Sequence, residues 1–477
     1  MDAPTGLDTV PPGADRDLPN EPPFALRGRI LTPLAAGGSR DLADGIVIVD
    51  ATGRIAAVGP AQDRSPAERA AAIDLGGRVI LPGLVDLHAH LWQLPNAGIG
   101  AGLDLLTWLR RYIFPMEQAM DVPAAERLGP AAFRAFAAVG TTTVVAYTAV
   151  YADSTDAAFR AAEAHGIRAI IGKVMMDRDR YDLAVPDSEV LERSLSESDA
   201  LCERWHGAAE GRLGYAFTPR FAITCSPELL RESATLADAR GAWWQTHLSE
   251  DRGELAEVAR RFPDAIDYTD VYDRAGALSE RAILAHAIHL SDREIGRIVE
   301  SGARIAHCPS SNLFLASGVM PLGRYLEAGI QVGLGSDVAA GPDPSLFSVM
   351  RVGAYAQNAL RVVRGDAHDA LDPLDWLRMA SLEGARSLGL DDVVGTLEAG
   401  KEADLIAVDP ALTEPLPASA TGPEAEGALA DPRALMSRLI HRPHPEMVRA
   451  AWVRGRRLPG PVGWEPPGAT VATAVTR

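Results

Sequence analysis

The chain has 477 residues, 47% of them hydrophobic and 23% charged, and a formal net charge of −18. With a mean hydropathy of −0.01, this is the composition of a soluble globular protein with one large domain and a smaller companion, and it excludes a disordered or fibrous chain. An acidic surface without a basic stripe also excludes polymeric nucleic acid as a partner.

Residues 1–23 are rich in Pro, Gly and Asp, lack the apolar run of a signal peptide, and are expected to form a disordered tail. Residues 46–49 and 54–59 then read as two strands around a Gly-containing turn. The same texture returns at 403–408 and 448–453. Residues 24–80 and 394–470 are therefore expected to build one small β-sandwich domain from both chain ends.

Residues 81–393 alternate short apolar runs with Ala-, Leu-, Arg- and Glu-rich helical segments at 124–139, 154–165, 191–206, 252–261 and 292–301. Eight strands are expected, at 79–85, 142–147, 168–174, 213–217, 243–246, 282–285, 304–306 and 331–334. Eightfold alternation points to a closed (β/α)8 TIM barrel with its active site at the C-terminal ends of the strands. The alternative, an open doubly wound sheet, lacks its Gly-x-Gly-x-x-Gly turn. Residues 179–188, 341–345 and 413–432 read as loops or insertions. No uncharged apolar run approaches the roughly 20 residues of a membrane span. Cys202, Cys225 and Cys308 are odd in number and include no Cys-x-x-Cys pair, so a reduced, cytoplasmic protein is expected.

The chemistry lies at the strand ends. In Asp86-Leu87-His88-Ala89-His90, alternation puts two imidazoles on one face. His247 ends the fifth strand, with Glu250 three residues later and expected one helical turn beyond it. His286 ends the sixth strand and Asp337 the eighth. Each interrupts an apolar run where a core would take another hydrophobe. Imidazoles and a carboxylate so placed suit a divalent transition metal, most simply Zn2+, and Fe fits the same ligands.

These motifs resemble those of the amidohydrolase superfamily and, within it, the guanine deaminase branch. The likeness runs from Gly28 onward. It includes Pro-Gly-Leu-Val-Asp-x-His-x-His at 82–90, Phe114-Pro115-x-Glu117, Gly172-Lys173-Val174, Thr218-Pro219-Arg220-Phe221, Thr246-His247-x-Ser249-Glu250, Ala306-His307-Cys308-Pro309 and Ser336-Asp337-Val338-Ala339. The resemblance implies zinc held by His88, His90, His247 and Asp337, a reacting water held by His286, and protons shuttled by Glu250. It also implies a purine held by Gln93, Arg220 and Phe221, and a homodimer. The substrate is then a small molecule, guanine, deaminated to xanthine and ammonia. The alternative is another amino-heterocycle (8-oxoguanine, a pterin or an s-triazine).

Bottom-up chemistry agrees: a bound metal lowers the pKa of water to about 7, and a carboxyl group beside it can carry protons to a ring nitrogen and a departing amine. Binuclear members of the superfamily use a lysine on strand four. Lys173 is on strand three and residues 213–217 hold none, so one metal per chain is expected. His307 either lines the pocket or packs. Trp92 and Ala340 depart from the branch pattern, and both are expected near the pocket.

Overall fold

The computed structural model describes residues 18–365, 371–416 and 427–460. Two sheets organise them. The first joins both chain ends. It contains β1 (Phe24–Pro33), β2 (Ser39–Val49), β3 (Ile55–Pro60), β4 (Ile73–Pro82), β14 (Leu405–Val408), β15 (Val448–Val453) and β16 (Arg456–Arg457), in the order β16-β15-β14-β4-β1-β2-β3. The small β domain is thus one hydrogen-bonded mixed sheet, enclosing a core that includes Leu26, Ile30, Val47, Leu405 and Trp452.

The second sheet is the barrel. It contains β5 (Leu84–His90), β6 (Thr141–Tyr147), β7 (Arg168–Gly172), β8 (Val174–Met175), β9 (Leu213–Pro219), β10 (Trp243–Leu248), β11 (Ala282–His286), β12 (Arg304–His307) and β13 (Val332–Leu334). The eight main strands run parallel from β5 to β13, and the two-residue β8 pairs with β9. Past β13, Asp337 N donates to His88 O at 2.8 Å and His90 N to Val338 O at 2.9 Å, bringing the two ends of the path together. Alternate strand residues, among them Val85, Val145, Ile170, Ala216, Ile283 and Ala306, form an inner cluster.

The five expected helices appear as Val122–Ala138, Ala152–His165, Val190–Trp205, Arg252–Arg261 and Asp292–Ser301. Helix starts follow local chemistry: Asp121 caps Ala124 N, and Ser291 forms a reciprocal box with Glu294.

Three expectations change. The first barrel strand does not run over 79–85: Val79 to Pro82 belong to β4 in the terminal sheet, and Gly83 breaks the chain before the barrel strand starts at Leu84. A Cβ on Gly83 would lie 2.1 Å from Thr142 Oγ1. The expected tail, 1–23, is not uniform. Residues 1–17 lie outside the described residues, but Leu18 is buried in the terminal-sheet core, and Pro19 O and Asn20 O accept hydrogen bonds from Trp452 Nε1 and Arg457 N. Of the expected 413–432 insertion, 417–426 lie outside the described residues, as do 461–470 of the β domain. Leu429 O and Ala430 O accept from Arg29 of β1.

A buried ion cluster ties barrel to sheet. Arg168 of β7 reaches Glu402 Oε2 at 2.6 Å and Asp404 Oδ2 at 3.1 Å, and Arg454 Nε meets the same Glu402 oxygen at 2.7 Å.

Candidate active site

Four imidazoles and a carboxylate, side chains of the kind that can ligate a metal, converge at the C-terminal ends of the barrel strands. One ligand atom each from His88, His247, His286 and Asp337 lies within 4.8 Å of all the others. His90 joins them, its Nε2 lying 3.3 Å from His247 Nε2 and 3.2 Å from Asp337 Oδ1. His88 Nε2 is also 3.2 Å from that oxygen.

The backbone shapes this convergence. Ser249, His286 and Asp337 turn left-handed at φ of 49°, 69° and 47°, costing of order 1–3 kcal/mol each, as is common where strain aims a functional side chain. Gly335 lets the eighth strand close on the first: a Cβ there would be 2.8 Å from His88 Cβ. Asp86, fully buried, accepts from Ser336 N at 2.9 Å and from His88 N at 3.2 Å, bracing the same junction. Burial pushes its carboxyl up to about 7.

Nitrogen orientations are fixed from outside. His247 Nδ1 lies 2.6 Å from Arg220 O, and His286 Nδ1 lies 2.9 Å from Asn312 Oδ1. Both partners are acceptors, so each Nδ1 carries the proton and each Nε2 offers a lone pair to the cluster. Among the described residues, His88 Nε2 and His286 Nε2 are buried and form no hydrogen bond. Burial holds His88 down at about 4 and His247 well below the usual histidine range. At Asp337 burial acts upward, but His88 and His90 outweigh it and keep the carboxyl well below its usual range. Imidazoles kept neutral at His88 and His247, an ionised Asp337 carboxylate and unpaired inward lone pairs fit a divalent metal.

Glu250 adjoins the cluster: its Oε2 is 3.4 Å from His286 Nε2, and its Oε1 accepts from Ser317 Oγ at 3.3 Å. Burial, then the Asp337 charge, push it well above the usual carboxylate range. It does not sit one helical turn beyond His247. β10 ends at Leu248, and Glu250 lies in the turn before the helix Arg252–Arg261. Glu254 holds that turn by accepting from Glu250 N at 2.8 Å.

A cavity opens on the cluster. His90, Gln93, Arg220, Phe221, His247, Glu250, His286, Asp337 and Ala340 line it, and Leu105, Trp108, Leu109 and Leu315 supply an apolar wall. Trp92, expected near the pocket, is elsewhere: it is fully buried and packs toward Gly129 of the helix Val122–Ala138. His307 packs rather than lines the cavity, with neither ring nitrogen hydrogen-bonded and burial lowering it to about 3. Lys173 lies apart, 3.5 Å from Glu197.

The sequence reading missed Asp86, Asn312, Glu117 and the wall Leu105–Leu109 as parts of the site. Two signals were available: Glu117 stands in the Phe-Pro-x-Glu motif and Asp86 in the Pro-Gly-Leu-Val-Asp-x-His-x-His motif.

The model of the amidohydrolase family matches residues 79–455. The chain is 37% identical over 375 residues to a probable guanine deaminase of Deinococcus radiodurans, covering 77% of this chain and 83% of that protein. It is 37% identical over 342 residues to the guanine deaminase of Escherichia coli K12, covering 71% and 75%. The crystal structure of guanine deaminase from C. acetobutylicum with bound guanine in the active site superposes with a TM-score of 0.81 at 29% identity, covering 91% of this chain and 99% of that one.

Proposed function

The chain belongs to the amidohydrolase family, and from that premise we propose that it is a hydrolytic guanine deaminase, converting guanine and water to xanthine and ammonia. One observation carries the reading: His90, His247, His286 and Asp337 of the donor cluster, Glu250, and the polar pair Gln93 and Arg220 all line a single cavity.

The donor set suits one zinc ion held by His88, His90, His247 and Asp337, and iron fits the same ligands. When bound, such an ion activates water near neutral pH. The side chains do the rest. Gln93 and Arg220 hold the polar edge of the ring and Phe221 packs on its face. His286 Nε2 orients the attacking water toward C2. Glu250 carries one water proton to N3, and Asp337 Oδ2 accepts the proton of the hydroxyl now on C2. That proton leaves with the C2 amine as ammonia, so both water hydrogens are accounted for. The apolar wall from Leu105 to Leu109 and Leu315 excludes bulk water.

Family likeness adds a homodimer working in the cytoplasm. No helix among the described residues is long and apolar enough to cross a membrane.

The test is ammonia release from guanine, 8-oxoguanine, a pterin and an s-triazine on one preparation. Guanine is expected to give the highest kcat/KM. Another ring outrunning it by roughly tenfold would overturn the assignment while leaving the hydrolytic chemistry intact.

A further inference from the structure

Glu117 is a completely buried carboxylate that is not part of the cavity wall, yet it holds two residues that are. Its Oε1 accepts from Gln93 Nε2 at 2.6 Å and its Oε2 from Arg220 Nη1 at 2.5 Å. Resting on the function proposed above, we infer that Glu117 is a specificity-determining positioning residue. It fixes which atom of the Gln93 amide faces the cavity and so selects rings that carry an N–H beside a carbonyl.

The argument turns on what each group can donate. A glutamine amide has two ends of nearly the same shape, one an acceptor and one a donor, and an unconstrained amide can turn over to suit either ring edge. A carboxylate paired with a guanidinium is an acceptor only, so Gln93 must keep Nε2 toward Glu117. That leaves the Gln93 carbonyl oxygen for the cavity. Arg220 has donors only, and its charge is retained because the Glu117 ion pair outweighs burial.

The guanidinium is also held in place. Its Cζ lies 5.2 Å from the centroid of the Phe114 ring, which in turn lies 5.6 Å from the ring of Tyr181. Tyr181 is anchored by accepting from Val150 N at 3.2 Å.

The cavity therefore presents an acceptor and a donor whose order is set from behind. The complementary ring edge offers N–H to Gln93 and C=O to Arg220. Guanine has that edge. 2,6-Diaminopurine keeps the same C2 amine but reverses the edge, placing a ring nitrogen acceptor and an amino donor there. In Glu117→Gln the new amide can donate as well as accept, so Gln93 is free to turn over and donate to the ring nitrogen of the reversed edge, while Arg220 still faces its amino group.

The experiment compares kcat/KM for guanine and 2,6-diaminopurine, with metal content, in wild type and Glu117→Gln. The guanine preference is expected to narrow by roughly tenfold or more, mainly through KM, while bound metal is unchanged. Should Glu117→Gln fail to fold, Glu117→Asp keeps the charge but shortens the reach, and is expected to narrow the same ratio to a lesser degree. An equal loss on both substrates would assign Glu117 a merely structural role and overturn the inference, as would an unchanged ratio in the folded variant. Wild type releasing no ammonia from guanine would overturn the functional reading and this inference together. Wild-type discrimination that survives in the variant overturns only the inference.

Discussion

His247 Nδ1 donates a 2.6 Å hydrogen bond to the backbone carbonyl of Arg220, so a residue that faces the cavity with its guanidinium orients an imidazole of the donor cluster with its peptide. Side chain and backbone of Arg220 can therefore be separated experimentally. Arg220→Ala keeps the carbonyl and should retain metal. Loss of a charge-assisted hydrogen bond costs about 1.5–3 kcal/mol, roughly ten- to a hundredfold in kcat/KM for guanine. Arg220 cannot lose its proton to meet the amino donor of adenine, so wild type should prefer guanine over adenine by about a thousandfold. Steady-state kinetics with metal analysis checks both.

Metal analysis of the purified protein should approach one transition-metal ion per chain, since no lysine stands on β9 to bridge a second. Chelation should abolish activity and zinc should restore it. Two ions per chain at full activity would contradict this.

Glu250→Gln should keep the metal and lose roughly two to four orders of magnitude in turnover, the scale of general acid–base catalysis. The variant preserves size and the Ser317 contact, so a near-normal rate would place the proton transfer elsewhere.

Arg168 is paired with Glu402 and Asp404 where β7 meets the terminal sheet, and its side chain is 3% exposed. Arg168→Met leaves two carboxylates buried without that cation and should destabilise the protein by about 3–5 kcal/mol. Urea denaturation measures the loss. Simultaneous Glu402→Gln and Asp404→Asn should recover part of it.

His165 supplies a pH test away from the active site. Its Nε2 donates to Pro459 O at 3.0 Å, and burial lowers its pKa to about 4. Between about 6.5 and 4 the unfolded chain binds a proton that the folded one refuses. Stability is therefore fully present above pH 6.5 and falls as the pH drops toward 4, by about 3 kcal/mol in all. His165→Gln, which keeps the donor, should shift the urea midpoint less between pH 7 and pH 5 than wild type does.

Much of this architecture was legible because periodicity and strand-end position are local signals. His88, His90, His247, His286 and Asp337 each break an apolar run at a strand's end, and they converge because a barrel brings strand ends together. Boundaries were less legible: the apolar run from Val79 to Val85 looks continuous, and only the close approach of Gly83 to Thr142 divides it. Glu117, though it stands in a motif, and Asn312 could not be given roles in the site for a different reason. Each acts through a partner 24 to 103 positions away, and nothing in its own neighbourhood marks that partner. Trp92 misled because it sits one residue from Gln93, although that one step turns its ring toward Gly129.

The place of β4 in the terminal sheet bears on how the protein is made. This strand leads directly into the one carrying His88 and His90, and it lies between β1, made earlier with β2 and β3, and β14, made more than three hundred residues later. Until Leu405 to Val408 leave the ribosome, Val79, Ile80 and Leu81 keep one hydrogen-bonding edge open, and an open apolar edge invites pairing with other chains. A nascent chain halted after the barrel would contain the strand ends that carry the His and Asp cluster and still expose the root of the first of them. Premature termination in this protein should therefore yield aggregates rather than an active shortened enzyme.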